Sequence, residues 1–288
     1  MSEEIVWKKI LWRNPMNFLK IRQRFLNYFK NIDLVTYSLY LFSSILIIVS
    51  WDLIDRFEFF KEGFAGPMET IEQLKLMMER AYAGVYLTGH IWISTKRVLM
   101  GFALASVLTI PLGLAMGLNK YVRAIVKPLF DMFKPMPPIA WVSLVLLWFG
   151  VGELGKVFII FIGCCISSIA TAYQGVKLVD QRLFDVIRML GGTSRHETLL
   201  VSLPAALPAI FAGLQLTISG AWMCLIAAEL LAARSGVGFI ILLGMQLSRP
   251  AMSIAGMLII AILGAVSAKI IGLSEKLLCP WFRDVTKF

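Results

Sequence analysis

Long apolar runs alternate with short polar ones along this 288-residue chain. A bilayer core of ~30 Å takes about 20 helical residues. Six segments reach or approach that length: 34–54, 98–118, 129–149, 157–173, 205–231 and 252–273. The third carries the sequence KPMPP at 134–138, which breaks a regular helix because proline lacks an N–H and crowds the preceding turn. A shorter stretch, 68–81, places apolar residues at helical spacing with acidic residues early. It predicts a helix lying along the interface or capping the outer mouth. The pattern therefore predicts an all-α, polytopic membrane protein of about six transmembrane helices, with no internal repeat and no linker.

Composition agrees. Hydrophobic residues make up 58% of the chain and charged ones 16%, against ~25% charged in soluble domains. The net charge of +10 is distributed as in a membrane protein rather than a nucleic-acid binder. Seven basic residues (Lys8, Lys9, Arg13, Lys20, Arg22, Arg24, Lys30) precede the first span, opposed by Glu3 and Glu4. Such a cluster reads as a cytoplasmic anchor attracted to anionic headgroups. The chain thus divides into a basic cytoplasmic segment, 1–33, and a transmembrane domain, 34–288, whose first span acts as a retained signal-anchor. With the N-terminus inside, 17 lysines and arginines fall on the cytoplasmic side. Nine fall outside, among them Lys96, Arg97 and Lys156. That bias places both termini in the cytoplasm. Cys164, Cys165, Cys224 and Cys279 lie in or beside apolar segments without metal-ligand spacing, and read as small buried hydrophobes.

Catalytic chemistry is not encoded. Residues 150–156, GVGELGK, match GxGxxG and nearly match a phosphate-binding loop. Val157 stands where that loop needs Ser or Thr for magnesium, and no strand precedes it. A tight turn between two spans is the better reading. There is no GxSxG elbow, no HExxH and no paired histidines. The chain is therefore not expected to be an enzyme. Among ionisable residues near the spans, Asp131 and Lys134 are three apart and share a helical face, and Glu229 ends the fifth span. Two readings stay open: they line a water-filled path together with Pro135, Pro137 and Pro138, or they mark the two boundaries of the bilayer. Gly113 and Gly117 form a GxxxG, which serves close helix packing or, alternatively, a dimer contact.

The polar interlude 185–204, DVIRMLGGTSRHETLLVSLP, differs in kind. Residues 185–190 predict a short helix whose acidic start suits the positive end of the helix dipole. Gly191 and Gly192 permit a reversal. Thr193 or Ser194 can cap the next helix, with Glu197 in capping-box spacing to Ser194. Leu203 and Pro204 stop that helix and start the next span. Arg188 and Arg195 remain for ion pairing. The result is a rigid cytoplasmic elbow, more elaborate than a plain loop requires, which predicts a docking element for a soluble partner.

These residues resemble the EAA signature of ABC-importer permeases. Asp185, Val186 and Ile187 stand at the E-A-A positions, Gly191 at the glycine, Val201 at the apolar position, and Leu203 and Pro204 at the end. Val186 and Ile187 are bulkier than the usual alanines. The stretches 134–152, 203–222 and 227–241 are similar to the sulfonate, taurine, nitrate and bicarbonate permease group, with the family core at about 90–278. The resemblance implies a type I ABC importer permease fold in a bacterial cytoplasmic (inner) membrane. It implies coupling through Asp185, Val186, Ile187, Arg188, Gly191, Gly192, Arg195, Leu203 and Pro204. It also implies cytoplasmic ATPase subunits that hold ATP and magnesium, a second permease copy (a homodimer), an extracytoplasmic binding protein and a small anionic solute. No cofactor is implied in this chain. The alternatives are an ion-coupled secondary carrier, or a permease for a pyrimidine-type precursor.

Overall fold

A computed structural model describes residues 34–57 and 63–281. The basic segment 1–33, together with Lys61, Arg283 and Lys287, lies outside the described residues. All the described secondary structure is helical apart from one isolated bridge, Tyr82 to Val85.

The chain divides into two units, 1–60 and 61–288. In the first, α1 (Leu34–Arg56) is apolar on every side and closes on an Asp52–Arg56 pair at 2.7 Å. At ~1.5 Å per residue its 23 residues span roughly 34 Å, enough to cross a bilayer.

The second unit is a helical bundle. It comprises α2 (Pro67–Glu79), α3 (Leu87–Leu118), α4 (Lys120–Phe133), α5 (Trp141–Phe149), α6 (Glu153–Lys177), α7 (Gln181–Met189), α8 (Leu203–Ala232), α9 (Val237–Gln246) and α10 (Pro250–Leu278). Across both units five helices are long and apolar enough to cross a membrane, or six if the bent pair α4–α5 counts as one span.

At the centre, α6 is sandwiched between α3 and α8. Small residues make this possible. A Cβ on Gly113 would stand 2.7 Å from Cβ of Ala172, and one on Gly117 2.6 Å from Cβ of Val176. The GxxxG of α3 therefore packs against α6 within the same chain. Gly213 of α8 meets Thr171 of α6 in the same way. The core gathers Val98, Ile159, Ile160, Ile218, Trp222, Leu225, Ile240 and Met252, all buried. The Trp222 indole N–H donates to Ser267 Oγ at 3.0 Å, tying α8 to α10.

Two elements differ from the sequence reading and one agrees with it. The second span begins at Leu87 rather than 98, because the polar residues of its first turns are satisfied inside the bundle, as described below. The third breaks at its prolines as expected: α4 and the helical run from Pro138 meet at 79°. Helix α9 was not anticipated. It is a ten-residue apolar helix whose Ile241 packs on Gly256 of α10.

Candidate functional site

Two polar clusters stand at opposite ends of α6, roughly 37 Å apart for its 25 residues. One follows Lys177 and is the elbow. The other joins Glu153 to a buried set of side chains around Glu229.

The elbow is built from its caps inward. Helix α7 starts four residues earlier than expected: Asp180, not Asp185, is its N-cap, accepting from the Arg182 N–H at 2.9 Å. Asp185 lies inside the helix, 3.8 Å from the Arg188 guanidinium. The C-terminus closes with the Gly191 N–H donating to the Arg188 carbonyl at 3.0 Å and the Gly192 N–H to Ile187 at 2.9 Å. That paired arrangement needs a left-handed residue after the helix, and Gly191 supplies it at φ +77°. Gly192 is required for space, since a Cβ there would lie 2.8 Å from the Ile187 carbonyl oxygen.

Beyond the turn Thr193, one of the two expected caps, is the N-cap, but its capping-box partner is His196 rather than Glu197. The Thr193 N–H donates to Nδ1 of His196 at 3.1 Å. Glu197 instead accepts from Arg188 Nε at 2.7 Å, bracing the two arms of the elbow. This hydrogen bond holds the Arg188 guanidinium above its ordinary pKa. Leu203 and Pro204 do not stop the helix. The turn Ser194–His196 runs through a π-helical segment, Glu197–Ser202, straight into α8. The wider π turn accommodates the ring of Pro204, which would crowd the carbonyl four residues back in a regular α-helix. Ser202 Oγ donates to the Glu197 carbonyl at 3.1 Å.

The elbow's outer surface is apolar although its neighbours are charged. Leu183, Val186, Met189 and Leu190 are exposed, the last two by 86% and 81%. Arg195 is exposed beside them.

The proline break places Lys134 at the C-terminal cap of α4, and Pro135 and Pro137 on an exposed connection; Pro138 opens a 3-10 turn, Pro138–Ala140. Asp131 pairs with Lys127, one turn earlier in α4, rather than with Lys134.

The second cluster encloses Glu229, which neither faces an open path in the single chain nor sits at an exposed boundary: its exposure is 0%. Its carboxylate accepts from Arg97 Nη1 at 2.6 Å, from Ser94 Oγ at 2.8 Å and from the Gly238 N–H at 2.8 Å. Arg97 in turn donates through Nε and Nη2 to the two oxygens of Glu153, both at 2.6 Å, and through Nη1 to the Ser235 carbonyl. Lys156 donates to Glu153 at 2.9 Å. Two cations thus meet two anions: Arg97, Lys156 and Glu229 are buried, and the exposed Glu153 balances the second cation at the edge of the network. Arg97 and Lys156, counted above as outer-loop charges, are therefore buried members of this network.

The network also starts α9. The first N–H groups of a helix lack partners within it. Here those of Gly236, Val237 and Gly238 donate to His90 Nδ1 at 2.9 Å, Ser94 Oγ at 2.8 Å and Glu229 Oε2 at 2.8 Å. With Nδ1 accepting, the His90 proton sits on Nε2 and is donated to the Tyr82 carbonyl at 3.0 Å. Gly236 has φ +117°, and a Cβ there would overlap the Glu229 carboxylate at 2.3 Å. One face of α3 (His90, Ser94, Arg97) thus pins the 233–238 turn. The signal in the sequence was the spacing of four and three in front of an apolar run, the mark of a single helical face.

Neither cluster groups His, Cys, Asp or Glu side chains as a metal site would, among the described residues. What the two ends offer is an exposed apolar turn at one end and a clamped turn at the other, joined by one long helix.

Comparison with known proteins agrees with this anatomy. A family described as binding-protein-dependent transport system inner membrane component matches residues 109–284. A protein of Methanocaldococcus jannaschii, named as an ABC transporter permease, is 38% identical over 201 residues, covering 68% of this chain and 75% of its own. The taurine transport system permease protein of Escherichia coli is 31% identical over 220 residues, covering 76% and 80%. Among solved structures, the MetNI methionine ABC transporter in an inward-facing conformation superposes with a TM-score of 0.55 at 16% identity, covering 67% of this chain and 94% of that one. The fold, the length of the match and the identity to curated relatives lead to one conclusion: the chain belongs to the binding-protein-dependent transport system inner membrane components, the permease subunits of ABC importers.

Proposed function

We propose that this chain forms the translocation pathway of an ATP-driven importer, as one of two copies. Both termini lie in the cytoplasm. The elbow, from Asp180 through α7 to Pro204, is gripped by a cytoplasmic ATPase subunit, and an extracytoplasmic binding protein delivers the solute at the Glu153 end. ATP hydrolysis takes place in the separate ATPase subunit. The exposed break at Pro135, Pro137 and Pro138 contributes to the wall of the path. The solute is small and anionic, in keeping with the taurine permease among the relatives.

The observation that carries this reading is the elbow itself. Four apolar side chains stand exposed on a polar, capped and ion-braced turn, and exposed apolar patches of this kind mark interaction sites. The Arg188–Glu197 pair ties together the two arms of the turn, which lead into α6 and α8. A two-state pathway biased by nucleotide at one end and by loaded binding protein at the other is alternating access by population shift.

Uptake in proteoliposomes tests it. With the cognate ATPase and binding protein present, uptake is expected to follow ATP and to stop when either is left out. Uptake that persists with no ATPase, driven by an ion gradient, would make the chain a secondary carrier and overturn the proposal.

A further inference from the structure

Helix α4 has the form of a helix that lies on a membrane surface. Its charged residues Lys120, Arg123, Lys127 and Asp131, followed by Lys134 at the cap, recur at intervals of three or four and so form one stripe. The stripe carries a net charge of +3. Tyr121, Ile125, Leu129 and Met132 fall on the far side and are exposed by 54% to 69%. Helix α4 has no buried residue.

The direction of α4 sharpens this. Pro138, at the foot of the run into α5, lies 3.4 Å from a Cβ built on Gly163, and Val145 3.4 Å from one built on Gly155. The run therefore climbs alongside the Glu153 half of α6, parallel to the span. Helix α4 departs from it at 79°. Its other end follows Gly117, which packs on Val176 near the elbow end of α6. So α4 starts near the elbow end of α6 and runs crosswise to the climbing run that follows the proline break. A helix with one apolar arc and one basic stripe suits the boundary between acyl chains and headgroups.

We infer that α4 is an interfacial anchor that binds anionic phospholipid headgroups of the cytoplasmic leaflet through Lys120, Arg123 and Lys127. Charge decides for lipid over a second copy of this chain: a copy would bring the same positive stripe, whereas the inner leaflet is negative. The stripe residues edge a shallow, open depression of about 390 Å³, lined by Lys120, Arg123, Ala124, Lys127, Pro128 and Asp131. Asp131 engages Lys127 and limits how many phosphates the stripe takes. The inference rests on the cytoplasmic placement of the elbow end. ATPase co-purification from the same preparation tests that placement separately.

The test uses the full chain in nanodiscs of mixed phosphatidylglycerol and phosphatidylcholine. Lipid retained after delipidation is counted by native mass spectrometry, for the wild type and for Lys120→Gln with Arg123→Gln. The wild type is expected to retain phosphatidylglycerol over phosphatidylcholine, with a loss of about fivefold for each charge removed. Substituting Lys96 and Arg234, exposed charges outside α4, is expected to leave retention unchanged. A nitroxide on a cysteine at position 125 is expected to collide with oxygen rather than with an aqueous nickel chelate. Equal retention in wild type and variant overturns the inference. So does displacement of the lipid by millimolar inorganic phosphate, which would mark a site for a free anion. Label-to-label broadening at position 125 also overturns it, because a second copy would then cover the apolar face.

Discussion

Arg97→Ala is expected to be the most destabilising single change in the chain. It leaves Glu229 fully buried with its cation gone and releases Glu153 from two 2.6 Å hydrogen bonds. Breaking a buried pair by removing one partner costs about 3–5 kcal/mol, because the remaining charge has nowhere to be solvated. The loss also reaches beyond the pair. Arg97 holds the Ser235 carbonyl, and Glu229 holds the Gly238 N–H, so the 233–238 turn and the start of α9 loosen together. Detergent-solubilised protein should lose its monodisperse peak at a markedly lower temperature than the wild type. A graded series gives the result its meaning. Glu229→Ala should approach Arg97→Ala, and removing both together should recover part of the loss, since no lone charge remains. Glu153→Gln should cost much less: its side chain is 63% exposed, and exposed pairs contribute about 0–1 kcal/mol. Arg234→Ala, an exposed neighbour, should be silent. If Arg97→Ala proved as stable as Arg234→Ala, the clamp described here would not exist.

Gly191→Pro is expected to have the opposite profile, with little effect on the bundle and a large one on assembly. Proline fixes φ near −65°, whereas this position sits at +77°, and it deletes the N–H that donates to the Arg188 carbonyl. The end of α7 unwinds, Met189 and Leu190 lose their placement, and the Arg188–Glu197 brace is strained. The elbow lies outside the buried core, so the protein should still insert and accumulate. The ATPase should co-purify tenfold less or worse, equivalent to about 1.4 kcal/mol or more of binding energy. Gly191→Asn is the matching control: asparagine adopts left-handed φ readily, and Gly191 has no neighbour for a side chain to strike. Undiminished ATPase binding by Gly191→Pro would remove the elbow from the coupling path.

The sequence was most informative where a single physical signal dominated. Apolar runs located α1, α6, α8 and α10 to within a few residues, because a span has to be apolar throughout. The elbow was visible because its glycines and capping residues are local: Gly191 is needed by one backbone angle, and that need is written in one residue. What stayed hidden depended on distant partners. Ser94 and Glu229 are 135 residues apart, Arg97 and Glu153 56. Glu229 looked like a boundary charge and Arg97 like an outer-loop charge until folding brought them together. The span of α3 was cut short for that reason: hydropathy penalises His90, Ser94 and Arg97, while the bundle satisfies all three. The cap at Thr193 went to His196 rather than pairing Ser194 with Glu197, because Glu197 was claimed by Arg188 across the turn. The π segment before Pro204 was equally out of reach. Proline usually marks a stop, and only the continuous packing of α8 against α6 explains why the helix continues past it.

The handle itself is open to the most direct test. A cysteine placed at Met189, the most exposed apolar position of the elbow, can be treated in native membranes with a short bifunctional thiol reagent and with a membrane-impermeant maleimide applied from either side. The three buried native cysteines and the half-buried Cys165 set the background. The account predicts a cross-link to a soluble ATPase subunit, sensitive to nucleotide, and maleimide labelling from the cytoplasmic side alone. Labelling from the extracytoplasmic side, or an elbow that cross-links to no ATPase in an actively transporting membrane, would contradict it.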